Sequence, residues 1–260
     1  MAYSTIKVSE PQPGVTLITF ARPDVANALS SEMGRELLDI WSKLRGDAAL
    51  RCVILAGEGK HFQAGADLKE RNGMTDEAWA EQHRLFEAMI RAQLACPVPI
   101  IAAVHGAAMG GGCEMSLACD FTYAAEGARF GLPEAGLGIM PGLGGTQLLT
   151  RAVGPRRALE IMTTAAPFTA QQALDYGLVS AVVPPEALMD TVLAVAAQIA
   201  SRAPLSVRGL KRVVHAGQDL DLKQAMDLEL GIYNNLFTTE DRREGVASFN
   251  EKRTPSFSGR

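Results

Sequence analysis

Several features that would assign this chain to a common class are scarce or missing from its 260 residues. Charged residues make up 21% of the sequence and the net charge is −4. No block of lysine or arginine with interleaved aromatics occurs, which argues against a nucleic-acid surface. No uncharged apolar run approaches the ~18 residues of a membrane span without glycine or proline interrupting it. The first residues lack the layout of a secretory signal and are poor in arginine. These absences predict a cytoplasmic protein with no nucleic-acid or membrane partner.

Metal and nucleotide motifs are missing as well. The four cysteines form no C-x-x-C pair and the four histidines no H-E-x-x-H, so no metal site is predicted. The P-loop pattern is absent, because the one Gly-Lys pair, at residues 59–60, is followed by His61. No G-x-G-x-x-G opens a helix after a strand, and no G-x-S-x-G nucleophile turn occurs. The sequence therefore predicts neither a dinucleotide site nor a serine hydrolase.

Strand-like and helix-like stretches alternate over the first 130 residues. The segments IKVSE and GVTLITF flank a PQPG turn and predict a hairpin. Further along, the patterns predict a helix from Ser30 or Ser31 to about Leu44, a strand at CVILAG, an amphipathic helix over residues 76–94 and a strand at PIIAAV. His105 follows that last strand and is interpreted as structural. This rhythm is typical of an α/β fold with largely parallel strands.

After about Val183 the strand patterns stop. Residues 186–201, 205–216, 222–237 and 240–252 are each predicted to be helical. We therefore divide the chain into a core of residues 1–203 and a helical C-terminal segment of residues 204–260. In that segment an apolar stripe, formed by Leu222, Met226, Leu230, Tyr233 and Leu236, is too long for one thin layer to bury.

Two glutamates stand alone in apolar, glycine-rich stretches. Glu114 lies in GAAMGGGCEMSLAC, and Glu134 is the one ionisable residue between Arg129 and Arg151. A carboxylate in apolar surroundings has a raised pKa and can exchange protons near neutral pH. Each glutamate alone could be a surface residue at a helix end, but the pair together favours a function.

Glycine-rich turns follow two of the predicted strands. Gly65 lies in HFQAGADLKE after CVILAG, and GAAMGGGCE leads into a helix predicted to begin near Gly111. An ordinary turn, or close packing of the helix through small residues, would explain either one. Free amides at both places, beside two carboxylates, would suit a carbonyl oxygen that gains negative charge while protons move nearby.

Five sequence motifs, taken in their order along the chain, resemble those of a known family. The sequence contains A-G-A-D-L-K at residues 64–69, G-G-G-C-E at 110–114, F-G-L-P-E at 130–134, P-G-L-G-G-T-Q at 141–147 and D-R-R-E-G-V-A-S-F-N-E-K-R at 241–253. In this order, from about Val15 to Phe257, they resemble the crotonase (enoyl-CoA hydratase/isomerase) superfamily, and within it the enoyl-CoA hydratase branch.

The resemblance implies a crotonase-like ββα spiral core with a helical C-terminal trimerisation segment, assembled as a homotrimer or as a hexamer of two trimers. The implied substrate is an acyl-CoA thioester, with no further cofactor because coenzyme A is part of the substrate. The amides of Ala66 and Gly111 would form the oxyanion hole, and Glu114 and Glu134 would hold the water and exchange its protons. The positions implied to contact coenzyme A are Ala64, Ala66, Asp67, Leu68, Lys69, Gly111 and Lys252.

Two positions depart from the family pattern. Asp24 stands where many members have a lysine near coenzyme A, and Leu148 replaces a common arginine. Isomerase members generally keep one of the two acids, so the presence of both favours reversible syn addition of water to a trans-2-enoyl-CoA. Isomerisation or other enolate chemistry on the same scaffold, and a non-catalytic protein that binds RNA or a protein partner, remain the alternatives. The acyl chain and the pathway stay open.

Overall fold

A β-hairpin opens the fold, and parallel strands are added to it one crossover at a time. The computed structural model describes residues 3–260. The strands are β1 (Ile6–Gln12), β2 (Val15–Phe20), β3 (Cys52–Gly57), β4 (Ile100–Val104), β5 (Ala107–Met109), β6 (Phe121–Ala125), β7 (Arg129–Gly131), β8 (Phe168–Thr169) and β9 (Ala181–Val183). The helices are α1 (Ser31–Arg45), α2 (Leu68–Arg71), α3 (Asp76–Leu94), α4 (Gly111–Leu117), α5 (Gly145–Val153), α6 (Pro155–Thr164), α7 (Ala170–Asp175), α8 (Leu188–Ala200), α9 (Pro204–Gly217), α10 (Leu222–Leu236) and α11 (Glu240–Glu251). Short 3₁₀ turns cover Pro23–Val25, Glu134–Leu137 and Pro185–Ala187.

The main sheet has the strand order β1-β2-β3-β4-β6-β9. Strands β1 and β2 are antiparallel, and every later neighbour pair in this sheet is parallel. The predicted hairpin and the α/β class are thus confirmed. One detail differs, because β1 continues to Gln12, which leaves residues 13 and 14 as the turn.

A second ladder of short segments accompanies the main sheet. Leu29 bridges Ala66, and Gln63 bridges Ala108. Strands β5, β7 and β8 form a three-stranded sheet. Several successive passes of the chain therefore supply a strand to the main sheet and a short segment to this second ladder, which is a spiral. The ladder matters for function because it carries both glycine-rich turns, at residues 64–66 and 109–111.

The main sheet is buried on both faces. Cys52, Ile54 and Ala56 of β3 belong to a cluster that also contains Val192 and Ala196 of α8. Alternate β3 residues pack into the larger core, where the buried side chains of α1 and α3 also lie. A strand covered on both faces is apolar without alternation, which accounts for the continuous run CVILAG.

Side-chain caps begin helices α1 and α3, both of which start where the sequence predicts. The Ser30 hydroxyl accepts a hydrogen bond from the Met33 amide at 3.2 Å, and the Thr75 hydroxyl accepts one from the Ala78 amide at 3.2 Å. Helix α4 begins differently, without a side-chain cap. A Cβ added at Gly112 would lie 2.2 Å from the carbonyl oxygen of Gln63, so only glycine allows α4 to approach the 63–66 turn this closely.

Helices α9–α11 cover the last part of the chain, as predicted. Lys211 of α9 donates to the Val98 carbonyl at 2.8 Å and to the Asp120 carboxylate at 2.7 Å, which ties α9 to the core. Helix α10 buries none of its residues. Its exposed apolar side chains include Leu222, Met226, Leu230 and Tyr233.

Leu236, the last residue of the predicted apolar stripe, differs from the other four. It is half-buried, because it lies towards Gly209 on α9. The division at residues 203 and 204, and the role of the C-terminal segment in assembly, stay predictions. No helix within residues 3–260 is long and apolar enough to cross a membrane.

Candidate active site

A cavity of about 700 Å³ lies between the second ladder and helix α3. Its walls come from residues 64–66 after β3, the start of α4, the turn at Pro133–Glu134, the segment 139–143 and the inward side of α3. Both glutamates singled out from the sequence line this cavity, and so do Ala66 and Gly111. Residues that are far apart in the sequence therefore meet at one place, as their predicted common role requires.

Glu114 lies in the first turn of α4 and is 2% exposed. Its Oε1 accepts hydrogen bonds from the amides of Leu143 and Gly145, at 2.7 and 2.8 Å. Burial, helped by the nearby Glu134 and opposed by the backbone amides, raises its pKa from 4.5 to about 7. Near neutral pH both the protonated and the ionised form of this side chain are therefore populated.

The two amide partners of Glu114 were missed in the sequence. A Cβ added at Gly145 would lie 2.9 Å from Glu114 Oε1, so the glycine is needed for this contact. Helix α5 begins at Gly145, and its free amide is one of those that a helix start leaves unpaired. The glycine pair at 144–145 was the available signal, but its partner lies 31 residues away in the sequence.

Glu134 begins a 3₁₀ turn and is 8% exposed. Its Oε2 is buried and has no hydrogen-bond partner within residues 3–260. Burial raises the pKa of this carboxyl above its usual range. An unpaired buried oxygen that lines a cavity is a group prepared to bind a polar ligand atom.

The amide of Ala66 points away from Leu29, its bridge partner in the second ladder. The Leu29 amide donates to the Gly65 carbonyl at 2.8 Å, and the Asp67 amide donates to the Leu29 carbonyl at 2.9 Å. Leu29 is thus hydrogen-bonded to the Gly65 carbonyl and to the Asp67 amide. Because successive amides of an extended strand point to opposite sides, the Ala66 amide points to the side away from Leu29. That side faces the cavity, which Ala66 lines.

The amide of Gly111 is the first of α4, a position with no partner inside the helix. A Cβ added at Gly111 would lie 4.0 Å from the Gly65 Cα, so the two turns are in contact. Gly110, just before the helix, has φ +50°, which a glycine adopts readily. Its position beside Glu134 is close, since an added Cβ would lie 3.0 Å from Glu134 Oε1. Two backbone donors and two carboxyl groups are thus brought to one cavity.

The residues implied to contact coenzyme A are not all brought together. Ala64 and Leu68 line the cavity. Asp67 instead caps α2 and pairs with Arg22 at 3.0 Å. Lys69 is exposed on α2, and Lys252 ends α11 in an exposed position outside the cavity wall. A role for Asp67, Lys69 and Lys252 in binding coenzyme A stays a prediction.

The α3 side of the cavity contains residues that the sequence analysis did not single out. Arg71, Trp79 and His83 all line it. A lone arginine after a recognised motif carries no signal of its own, and Trp79 was indistinguishable from the other apolar positions of an amphipathic helix.

The raised pKa of Glu114 predicts a pH-dependent stability. A carboxyl whose pKa is raised by folding contributes its stability below the unfolded value, and that contribution is lost as pH rises towards the folded value. The change from 4.5 to about 7 corresponds to about 3 kcal/mol. Glu114→Gln should therefore match the wild type in stability near pH 4 and exceed it above pH 8.

Denaturant unfolding at a series of pH values measures this difference. Glu126→Gln, at an exposed position between β6 and β7, is the control and should follow the wild type at every pH. A Glu114→Gln variant as stable as the wild type at pH 8 would mean that burial does not raise this pKa.

Comparison with known proteins agrees with the geometry. The family model described as enoyl-CoA hydratase/isomerase matches residues 10–260. A crotonyl-CoA hydratase of Syntrophomonas wolfei is 39% identical over 99% of both chains. A short-chain-enoyl-CoA hydratase of Clostridium acetobutylicum is 38% identical over 95% of both. The crystal structure of an enoyl-CoA hydratase from Bacillus anthracis superposes with a TM-score of 0.97 at 41% identity, covering 99% of this chain and 100% of that one.

Proposed function

This chain belongs to the enoyl-CoA hydratase/isomerase family, and we propose that it adds water reversibly to a trans-2-enoyl-CoA, giving a 3-hydroxyacyl-CoA. The observation that carries this function is that two buried glutamates and two backbone amides unpaired among the described residues, those of Ala66 and Gly111, line one cavity. Two relatives that are named as hydratases and align over nearly their whole length support this function.

The amides of Ala66 and Gly111 are the donors for the thioester carbonyl oxygen. As water adds to the β-carbon, electron density moves from the double bond to this oxygen, and the thioester becomes enolate-like. Fixed donors at that oxygen stabilise the transition state because they need no reorganisation when the charge develops. This pair is the oxyanion hole of the proposed mechanism.

Glu114 and Glu134 hold the water between them. One carboxylate accepts a proton as the water oxygen bonds to the β-carbon, and the other carboxyl delivers a proton to the α-carbon. Raised pKa values suit both steps, since such a carboxyl keeps its proton to a higher pH than an ordinary glutamate and can deliver a proton as well as accept one. The two amides on Oε1 fix Glu114 in one orientation and leave its second oxygen for the reaction.

The finer parts of the proposal concern assembly and coenzyme A. A homotrimer or homohexamer would cover the exposed apolar side chains of α10.

Lys69 and Lys252 are exposed cations suited to the phosphates of coenzyme A, with Lys252 acting at a neighbouring subunit or after a movement of α11. Coenzyme A enters as part of the substrate.

The direct test is a hydration assay with crotonyl-CoA. The reaction is monitored by the loss of absorbance of the conjugated thioester, and the product is identified as 3-hydroxybutyryl-CoA. We expect turnover without added metal or redox cofactor. Exchange of α- or γ-hydrogens in deuterium oxide without any hydration, across esters of several chain lengths, would instead favour the isomerase.

A further inference from the structure

Arg71 places a cation in the wall of the active-site cavity. It is the last residue of α2 and is half-buried. Its Nε donates to Gln82 Oε1 at 2.8 Å. The guanidinium carbon lies 4.3 Å from the centre of the Trp79 ring and 5.8 Å from that of Phe86. Stacking and the Nε hydrogen bond therefore fix the plane of the guanidinium while leaving the two amino groups at its far edge.

Those two amino groups have no partner in the chain. Over the described range 3–260, neither Nη atom of Arg71 makes a hydrogen bond, and no carboxylate lies within 4.0 Å of the guanidinium. Arg22, in a neighbouring loop, shows the contrast, because it pairs with Asp67 at 3.0 Å. Arg71 is thus a half-buried cation with a free bidentate edge.

The nearest acidic neighbour is already engaged elsewhere. Glu70 accepts the Ser31 amide at 2.9 Å and the Gln82 amide group at 3.2 Å, so it acts on Arg71 only through its field. Burial lowers the pKa of Arg71, and Glu70 opposes that change. A cation held in a partly apolar wall gains more from an anionic ligand than a solvated surface cation does.

The position of Arg71 indicates which part of a substrate reaches it. The amides of Ala66 and Gly111 fix the thioester carbonyl, so the acyl chain continues along the cavity and coenzyme A extends to solvent. On the same short helix, Lys69 is exposed and lies outside the cavity wall, whereas Arg71 lies inside it beside Trp79 and Phe86. Arg71 is therefore placed to meet the acyl chain, whereas Lys69 is placed to meet the part of coenzyme A that lies in solvent.

We propose that the free Nη edge of Arg71 binds a carboxylate at the distal end of the acyl chain, so that the preferred substrates are enoyl-CoA esters of dicarboxylic acids. This inference rests on the proposed function and adds the substrate class to it. A planar guanidinium and a carboxylate form two parallel hydrogen bonds, which an unsubstituted alkyl chain cannot provide. An alkyl chain would also cover the cation without pairing it.

Paired substrates test this proposal. Monocarboxylic trans-2-enoyl-CoA esters of four to eight carbons are compared with esters of the same length that end in a carboxylate, using wild type, Arg71→Met and Arg71→Lys. Methionine keeps an unbranched apolar side chain without the charge, and lysine keeps the charge without the planar edge. The readout is the ratio of kcat/KM for the dicarboxylic ester to that for its matched partner.

We expect the wild type to prefer the dicarboxylic ester at one chain length, with a ratio above ten. Arg71→Met should lower that ratio roughly 10- to 100-fold, the range of a charge-assisted hydrogen-bonded pair, and Arg71→Lys should lower it less. An equal loss for both substrate classes would assign Arg71 to coenzyme A phosphate or to packing, and would overturn the proposal. An unchanged ratio would overturn it as well.

A binding measurement on the wild type alone keeps the proposal testable if the variants do not fold. Saturated adipyl-CoA should bind more tightly than hexanoyl-CoA by at least tenfold in calorimetry at low salt, with suberyl-CoA and octanoyl-CoA as the longer pair. Equal affinities in both pairs would overturn the proposal. Failure of the wild type to hydrate any ester would sink the proposed function itself, whereas hydration of crotonyl-CoA without carboxylate preference would remove only the role of Arg71.

Discussion

Glu114→Gln and Glu134→Gln should each lower kcat by about 10²–10⁴, because each substitution removes a proton-exchanging group from one chemical event. Glutamine keeps the size of the side chain. At residue 114 its oxygen can still accept hydrogen bonds from Leu143 and Gly145, so the local structure should be retained. The affinity for saturated acyl-CoA should therefore change little. Steady-state kinetics and calorimetry measure the two quantities separately.

The double variant makes the prediction sharper. If the glutamates act on one water in one event, the combined loss should be much smaller than the product of the two single losses. Glu126→Gln, at an exposed position, is the matched control and should retain wild-type turnover. Turnover within about tenfold of the wild type for either folded single variant would contradict the two-acid mechanism. Isomerase chemistry would survive that outcome only if the tolerant position were Glu114.

A merely structural role for these glutamates predicts the opposite pattern. A buried glutamate that served packing would show a lower melting temperature and weaker binding when replaced. The raised pKa of Glu114 instead predicts a variant that gains stability above neutral pH while losing turnover. Loss of function with gain of stability is the pattern of a group kept in an unfavourable environment because the reaction needs it there.

Local pattern was enough to predict most of the elements. The cap at Ser30, the apolar run of β3 and the start of α4 near Gly111 were each predicted from residues close in sequence. The small and apolar neighbours of Glu114 along α4 likewise predicted apolar surroundings for its carboxyl group. These features needed no knowledge of the tertiary structure.

Contacts between residues that are distant in the sequence were not predicted. Glu114 finds its amide partners about thirty residues further along, at the start of α5. Arg71 becomes a cavity cation because α2 folds against α3, which brings Trp79 and Gln82 to its side chain. Leu236 turns towards α9 for the same kind of reason. A single sequence gives no distance between such residues, so their roles appear only once the helices are packed.

Gly111→Pro should lower kcat by roughly 10²–10³, since it removes one of the two amides proposed to hold the thioester oxygen. Gly111 is the first residue of α4, a position at which proline is well tolerated because its missing amide has no partner within the helix. Because Gly111 is the first helical residue and its φ is not positive, its backbone conformation is close to the one that proline requires. The helix should therefore form, and circular dichroism and thermal unfolding should confirm the fold.

Gly111→Ala is the matched control, because it adds the same Cβ and keeps the amide. That Cβ would lie 3.4 Å from a Leu143 methyl and 3.9 Å from one of Leu29, contacts that small movements of flexible side chains can relieve. We expect Gly111→Ala to retain turnover within about tenfold of the wild type, so that the gap between the two variants measures the loss of the amide hydrogen together with the ring carbon that proline puts in its place. Equal losses in the two variants would mean that added bulk at residue 111, and not a missing donor, limits the reaction. A folded Gly111→Pro variant with near-wild-type turnover would remove the Gly111 amide from the mechanism and leave Ala66 as the one proposed donor.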